Sequence, residues 1–169
     1  MTKPMSDYTT ELGSLDDFRK GGVHIINDDP RNYVFSNAFE VAGKSAPFER
    51  VCVAKNLEYA IEIMRADGAS PWFTAGHDEF ALCLDGTIEV ELMKHGEDVP
   101  EGDGAHQLDG EPEGPRMGRI RAGRGHLTLL PANAAYRISA ETPSVVLFQT
   151  MDGPLTIERW AEICQTGEE

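Results

Sequence analysis

Two side chains with the chemistry of metal ligands, His77 and Glu79, lie two residues apart in the segment GHDEFALCLDG. In a β-strand, residues i and i+2 share a face, so this imidazole and this carboxylate could reach one metal ion. Iron and manganese sites need donors of these types. A third donor would have to be the phenol of Tyr136 or the imidazole of His126. The alternative is that His77 and Glu79 form a hydrogen-bonded pair, since unpaired polar groups are costly to bury.

The spacing around Glu79 resembles the first sequence motif of the cupins. That motif runs G, five residues, H-x-H, three or four residues, E, six residues, G, and here six residues separate Glu79 from Gly86. The resemblance implies a small jelly-roll barrel, in which the motif histidines and glutamate hold a divalent metal. The two histidines of the motif are absent from this chain. With three residues before Glu79 their positions fall on Phe73 and Ala75, and with four residues they fall on Trp72 and Thr74.

The second cupin motif is also present in outline and also lacks its ligand. It runs G, five residues, P-x-G, two residues, H, three residues, N, and Gly125 and Pro131 match its start. Asn133 then stands at the glycine position, Tyr136 at the histidine and Ala140 at the asparagine. One of four expected ligands remains, and a single carboxylate cannot hold a divalent cation against water. The two motifs together predict a cupin barrel that binds no metal.

Four longer segments resemble the small subunit of the two-component, iron(II)-dependent hydroquinone 1,2-dioxygenases. They are YVFSNAFEV, AKNLEYAIEIMRADGASPWF, HDEFALCLDGTIEVEL and IERWAEIC, and the resemblance covers about Asn32 to Cys164. It implies a heterotetramer of two small and two large cupin-type chains, with a His, Glu, His site for Fe(II) on the large chain. The implied reaction cleaves the hydroquinone ring with O₂ to 4-hydroxymuconic semialdehyde.

The resemblance implies no catalytic residue and no metal on this chain, and places an aromatic substrate at or near the subunit interface. Because large aromatic side chains dominate interface energetics, Trp72 and Phe73 are predicted to line the substrate pocket or the interface. In the absence of the large chain, an exposed apolar patch lined by Trp72, Phe73 and Trp160 is expected. His77, Glu79 and Tyr136 are the degenerate positions of the metal motifs. Two alternatives stay open: a stand-alone metal-dependent cupin enzyme that uses His77 and Glu79, and a ligand-binding cupin without catalysis.

Residue patterns along the chain favour strands. The segments Asn32 to Val41 and Phe48 to Ala54 are rich in aromatic and β-branched residues, which favour strands. Two apolar runs flank Asp85-Gly86, a dipeptide typical of hairpin turns. The segment Leu57 to Arg65 is ambiguous, because its ends resemble helix caps while its apolar residues alternate as in a strand. The resemblance to the dioxygenase small subunit favours the strand.

These patterns predict an all-β, cupin-type jelly-roll barrel with an arm and a short helix at its ends. The arm is expected over residues 1–31, the barrel over 32–154 with a long loop at 95–124, and a C-terminal helix and acidic tail over 155–169. The loop prediction rests on many glycines, prolines and acidic residues. The helix prediction rests on apolar residues at i, i+3, i+4 and i+7: Ile157, Trp160, Ala161 and Cys164.

Composition excludes several functions. The 169 residues include 15 Lys and Arg against 29 Asp and Glu, and the formal charge of −14 disfavours nucleic acid and anionic membranes as partners. The three cysteines are far apart, which predicts neither a disulfide framework nor a zinc ribbon. The N-terminus has no apolar signal region and no segment is long enough to span a bilayer, so a cytoplasmic protein is expected.

Overall fold

The structure is a computed structural model that describes residues 13–18, 27, 37–95 and 99–163. In this part of the chain ten strands form one sheet that curls into a nearly closed barrel, with a short helix near each end. The predicted all-β, cupin-type jelly-roll barrel is confirmed. The elements are α1 (Ala38–Lys44), β1 (Arg50–Asn56), β2 (Tyr59–Ala69), β3 (Phe73–Ala75), β4 (Glu79–Asp85), β5 (Thr87–Lys94), β6 (Ala105–Gln107), β7 (Arg116–Gly123), β8 (Leu127–Leu130), β9 (Ala134–Met151), β10 (Thr156–Ile157) and α2 (Trp160–Ile163).

The 18-residue strand β9 joins the two halves of the barrel. The second half of β9 lies between β2 and β4. We call the sheet around this half sheet A, and its strand order is β10-β1-β2-β9-β4-β8. The first half of β9 lies between β3 and β5, and with β6 and β7 these form sheet B, in the order β6-β3-β9-β5-β7. Strands β7 and β8 are edge strands, because each has one partner among the described residues.

The predicted hairpin at Asp85-Gly86 is wrong, because β4 and β5 do not pair with each other. They follow one another along β9, as shown by the partners Cys83↔Val146 in β4 and Glu89↔Ser139 in β5. Gly86 has φ +77°, and a Cβ there would overlap the side chain of Ser144. Glycine is therefore needed here for a barrel corner rather than for a hairpin turn.

The ambiguous segment Leu57 to Arg65 belongs to a strand, as the resemblance favoured. Strands β1 and β2 form a hairpin closed by the pair Asn56↔Tyr59, with Leu57 at φ +53° in the turn. The two residues that resembled helix caps have other roles. Asn56 ends β1, and Gly68, at φ +85°, lies at the β-bulge that separates the two stretches in which β2 pairs with β9.

The strand predicted over Asn32 to Val41 is wrong where the structure describes it. Residues 38–41 begin helix α1 and Asn37 is its N-cap, while residues 32–36 lie outside the described part of the chain. Asn37 caps the helix by accepting hydrogen bonds from the backbone N–H groups of Phe39 and Glu40, at 3.0 and 3.3 Å. The apolar residues of this segment face sheet A from a helix instead of lying within it.

The loop predicted over 95–124 contains two strands, β6 and β7. Arginine and glycine made residues 116–123 resemble a loop, yet β7 pairs along β5 with Arg121 opposite Glu89 and Arg119 opposite Glu91. Opposite charges on facing strands stabilise such a pairing, and the sequence of β7 alone does not reveal them.

The C-terminal helix is shorter than predicted. Ile157 lies in strand β10, where it pairs in parallel with Val51, and the described helix begins at Trp160. Cys164 lies outside the described residues, as does most of the arm expected over 1–31. No helix in the described part of the chain is long and apolar enough to cross a membrane.

Two apolar clusters hold the barrel together. The larger cluster fills the interior and includes Ile88, Ile138 and Phe148, all fully buried. The second lies on the outer face of sheet A, where Val41 of α1 packs near Ile63. The inner and outer faces of sheet A therefore both carry buried residues, and on the outer face α1, Leu15 and Trp160 pack against them.

Candidate functional site

Four strands bring ionisable side chains to one point inside the barrel. Arg50 of β1, Glu62 of β2, Glu79 of β4 and Tyr136 of β9 are each at most 1% exposed. All four belong to the inward-facing set of their strands, because the barrel curls around that face. We call these four residues the Arg50 cluster.

The guanidinium of Arg50 donates to all three other members of the cluster. Its Nε lies 2.5 Å from Glu62 Oε2, its Nη2 lies 2.7 Å from Glu79 Oε1, and its Nη1 donates to the Tyr136 hydroxyl oxygen at 2.7 Å. The Tyr136 hydroxyl in turn donates a hydrogen bond to Glu79 Oε2 at 2.5 Å. Thr156 donates to the remaining oxygen of Glu62, Oε1, at 2.6 Å. Each of the four carboxylate oxygens thus has a donor, which is the condition for burying such a network.

The charges in the cluster hold the protonation states fixed. Burial alone would raise the pKa of Glu79, but the charge of Arg50 and hydrogen bonds from Tyr136, Thr150 and Arg50 outweigh it, so this pKa is lowered. Burial would lower the pKa of Arg50, yet Glu79, Tyr136 and Glu62 raise it well above its ordinary value. Burial raises the pKa of Tyr136 well above its ordinary value. Glu79 also raises this pKa, and the opposing effect of Arg50 is smaller.

Two members of the cluster, Glu79 and Tyr136, stand at positions where the cupin motifs have metal ligands, and the cluster does not fit a divalent cation. Glu79 is the one ligand position that keeps a ligand, and Tyr136 stands at the histidine of the second motif. Both are bonded to the guanidinium of Arg50, a cation fixed to the chain. A phenol with a raised pKa stays neutral and is a poor metal ligand. In the residues that the structure describes, no group of three or more His, Cys, Asp or Glu side chains is placed to hold a metal ion.

The structure does not bring His77 and Glu79 together. His77 lies in a bend before β4, where its Nδ1 is 3.0 Å from the carbonyl oxygen of Asp78 and its Nε2 has no hydrogen-bond partner. The hydrogen-bonded pair predicted for His77 and Glu79 is therefore wrong. His126, the other candidate for a third ligand, is exposed in the turn before β8. It lies at the opposite end of β8 from Leu130, the residue that pairs with Glu79.

Trp72 and Phe73 are buried, at 5% and 3% exposure. Phe73 packs against Tyr136 inside the barrel, with ring centroids 5.7 Å apart. Trp72 packs with Met93 and Ala135 in a small cluster outside the main core, and its ring faces the guanidinium carbon of Arg137 at 5.0 Å. The expectation that these rings line an exposed apolar patch is wrong for the chain alone. Contact with a substrate or partner stays a prediction for both.

Sequence reasoning missed Arg50 and Glu62. An alternation such as Ile61, Glu62, Ile63 is typical of a strand whose apolar residues face the core and whose charged residue faces solvent. The structure reverses this, because α1 covers Ile63 on the outer face while Glu62 points into the barrel. The signal that could have found the cluster is a charged residue, Arg50, directly before the apolar run Val51–Ala54.

A solved hydroquinone 1,2-dioxygenase from Sphingomonas sp. TTNP3, with 4-hydroxybenzoate bound, contains a chain 54% identical to this one. The match covers 96% of this chain and 100% of that chain, with a TM-score of 0.89. The chain belongs to the hydroquinone 1,2-dioxygenase family. No family model matches the chain, and no curated protein does.

The same family supplies a second similar structure and a more distant one. Hydroquinone 1,2-dioxygenase PnpCD, solved with Cd²⁺ and 4-hydroxybenzonitrile, has a chain 49% identical over 97% of this chain and 100% of that chain, with a TM-score of 0.88. In PnpCD with Fe³⁺, a chain only 13% identical matches 80% of this chain and 38% of that chain, with a TM-score of 0.60. The latter likeness shows a shared fold alone. PnpCD is thus a complex of two kinds of chain, one of them matched along its whole length.

Proposed function

We propose that this chain is the metal-free small subunit of a heteromeric hydroquinone 1,2-dioxygenase. The complex would cleave the hydroquinone ring with O₂ between a hydroxylated carbon and its neighbour, giving 4-hydroxymuconic semialdehyde. Both oxygen atoms of O₂ enter the product. Fe(II) would be held by the large subunit, in an assembly of two small and two large chains.

The observation that carries the small-subunit role is the hydrogen bonding of Glu79 and Tyr136 to Arg50. These two positions correspond to cupin metal ligands, and their side chains are committed to a guanidinium at 2.7 Å. The relatives give independent support, since the chain covers all of the similar chain in PnpCD and 38% of the other kind.

The role of this chain in catalysis would be indirect. Each guanidinium nitrogen of Arg50 and each carboxylate oxygen of the cluster already has a hydrogen-bond partner within the chain, so we assign the cluster no direct part in the reaction. We infer that the cluster fixes the relative positions of β1, β2, β4 and β9, and that the rigid barrel shapes and shields the substrate pocket at or near the interface. Trp72 and Phe73 remain the proposed residues for that pocket or interface.

Separate and joint expression of the two chains tests this function. The small chain would be purified alone, the large chain alone, and the two together, each with anaerobic Fe(II) loading and removal of unbound metal. We expect iron bound by the large chain and by the complex, and O₂ consumption with hydroquinone only from the complex. The small chain alone should hold no stoichiometric iron.

Stoichiometric iron in the small chain alone, with activity lost in His77→Ala, would contradict the proposal in favour of a stand-alone metal enzyme. Failure of the small chain to associate with any large chain, together with tight binding of an aromatic ligand, would favour a ligand-binding cupin without catalysis. The product of the complex can be identified by its absorbance and mass.

A further inference from the structure

Exposed large hydrophobic side chains are concentrated on one surface of the molecule. Six such side chains are exposed among the described residues, and five of them lie on the outer side of sheet A or at the tip of its β1–β2 hairpin. The five are Leu57, Tyr59, Phe80, Leu127 and Leu129. The sixth, Met117, is 46% exposed on β7 in sheet B. Scattered exposed hydrophobics need no explanation, but a contiguous set marks an interaction surface.

Strand register shows that three of the five, Phe80, Leu127 and Leu129, are neighbours on the outer side of sheet A. Phe80 of β4 pairs with Leu129 of β8 on one side and with Gln149 of β9 on the other, and Gln149 pairs in turn with Ile61 of β2. These four residues form a row across four strands. The next row runs from Leu127 through Leu82 and Leu147 to Ile63. Of these eight residues only Gln149 is polar.

Helix α1 covers one end of this surface and leaves the other end open. Ile63, at the β2 end, is fully buried in the cluster that includes Val41 of α1. At the β8 end, Phe80 is 44% exposed, Leu127 69% and Leu129 47%. Strand β8 is also an edge strand, paired only with β4 among the described residues. An apolar face beside a free strand edge invites aggregation unless another chain covers it.

Charge favours a different chain over a second copy as the occupant. The chain has a net charge of −14, which opposes self-association. Exposed acids also border the surface, Glu58 beside Tyr59 and Asp78 two residues before Phe80. If two copies met through this surface, these acids would approach each other, and juxtaposed like charges disfavour a pairing. An apolar surface bordered by Lys or Arg on another chain would match it.

We propose that the outer face of sheet A around Phe80, Leu127 and Leu129 is the docking surface for the large subunit. The inference rests on the proposed function, because that function supplies the partner. The matching surface on the large subunit is expected to be apolar with a basic border. Phe80 of β4 lies between Leu129 of β8 and Gln149 of β9 and is the central anchor of the surface.

Association of the two chains, measured by co-purification and by titration of small chain into large chain, tests the surface. Phe80→Asp and Leu129→Asp should each weaken association about 30-fold or more, because removal of a central apolar anchor has an effect of this size. Met117→Asp is the control, because Met117 has a similar exposure on the edge strand β7 of sheet B, and it should associate like the wild type. Melting temperatures of the isolated variants check that each still folds. Hydrogen exchange of the wild-type amides in β8 should slow on association.

The outcomes separate the two proposals. If the wild-type chains do not associate, the proposed function fails and the docking surface falls with it. If the wild-type chains associate, and Phe80→Asp and Leu129→Asp associate as tightly while folding normally, the docking surface alone is overturned. If Met117→Asp weakens association with the large chain while Phe80→Asp does not, the interface lies on sheet B. If the wild-type small chain associates with itself and Phe80→Asp abolishes this self-association, the occupant of the surface is a second copy and the proposal is overturned.

Discussion

Arg50 Nη2 lies 2.7 Å from Glu79 Oε1 inside a barrel where cupin metal motifs place a divalent ion. Both side chains are at most 1% exposed, so the pair exists in a low-dielectric interior. Its attraction must offset the loss of hydration of both charges, which succeeds only when every donor and acceptor is bonded. Tyr136, Glu62 and Thr156 complete a network in which each carboxylate oxygen and each guanidinium nitrogen has a hydrogen-bond partner. A guanidinium fixed to β1 thus provides the positive charge that the carboxylates require.

Replacing Arg50 should destabilise the isolated chain severely. Arg50→Ala leaves two buried carboxylates without their cation, and loss of one partner of a buried pair costs about 3–5 kcal/mol of unfolding free energy. Urea denaturation of the isolated chain measures this. Arg119→Ala is the matched control, because Arg119 also pairs with a glutamate, Glu89 at 3.2 Å, but is 66% exposed. Its effect should be small.

A charge-neutral variant distinguishes lost attraction from lost packing. Adding Glu62→Gln and Glu79→Gln to Arg50→Met removes the stranded charges and should recover a large part of the loss. If Arg50→Ala lowers the unfolding free energy by less than about 1 kcal/mol, the cluster does not stabilise the fold in this way.

The lowered pKa of Glu79 predicts how stability depends on pH in acid. Its folded pKa lies below its unfolded value of about 4.3, so its contribution is fully present above that pH and is lost as the pH falls through the folded pKa. Unfolding free energy should therefore decrease as the pH falls below about 4.3. Glu79→Gln should be less stable at neutral pH but show a shallower decrease in acid. Equal slopes for wild type and variant, measured by urea denaturation across this range, would refute the assignment.

The sequence predicted most of the fold because its signals are local. The resemblance favoured a strand at β2, the apolar runs on either side of Asp85-Gly86 matched β4 and β5, and the cupin spacing of Glu79, Gly86 and Pro131 implied the barrel. The errors arose where distant partners decide. Strand β7 is stabilised by glutamates of β5, and helix α1 forms where Asn37 caps a segment rich in residues that favour strands.

The candidate site could be predicted only in part. Loss of the motif histidines was visible in the sequence, and Glu79 and Tyr136 were identified from their spacing. Their partner Arg50 was not, because 29 residues separate it from Glu79 and 86 from Tyr136. Spacing rules describe residues on one strand or turn, whereas this cluster forms when four strands curl around a common interior.

Gly86 should tolerate a side chain worse than another glycine of similar backbone conformation. Gly86→Ala requires φ +77° and places a Cβ against the Ser144 side chain. Gly68→Ala is the matched control, since it has φ +85° but no atom within 4 Å of the new Cβ. Gly68→Ala should cost about 1–2 kcal/mol for the backbone alone, and Gly86→Ala distinctly more. If the double variant Gly86→Ala, Ser144→Gly regains part of the lost unfolding free energy, the overlap with Ser144 is its cause. Equal losses of unfolding free energy in Gly86→Ala and Gly68→Ala would contradict this explanation.

Trp72 should contribute to the stability of the chain itself. Its ring is 95% buried against Met93 and Ala135, and faces Arg137 at 5.0 Å. Trp72→Ala removes a large ring from this cluster and should cost about 3–5 kcal/mol of unfolding free energy, visible as a large drop in melting temperature. Trp72→Phe keeps an aromatic ring and should lose less. Arg137→Ala removes the cation above the ring without opening a cavity and should cost about 0.5–1 kcal/mol.

The same variants test whether Trp72 also contacts the large subunit or the substrate. Association of Trp72→Phe with the large chain would be measured under conditions where the variant is fully folded, so that a stability loss cannot imitate an interface loss. A purely structural Trp72 predicts unchanged association and an unchanged KM for hydroquinone in the complex. If Trp72→Ala leaves the melting temperature of the isolated chain unchanged but abolishes association, the ring faces the partner, and its burial in the isolated chain contributes little to folding.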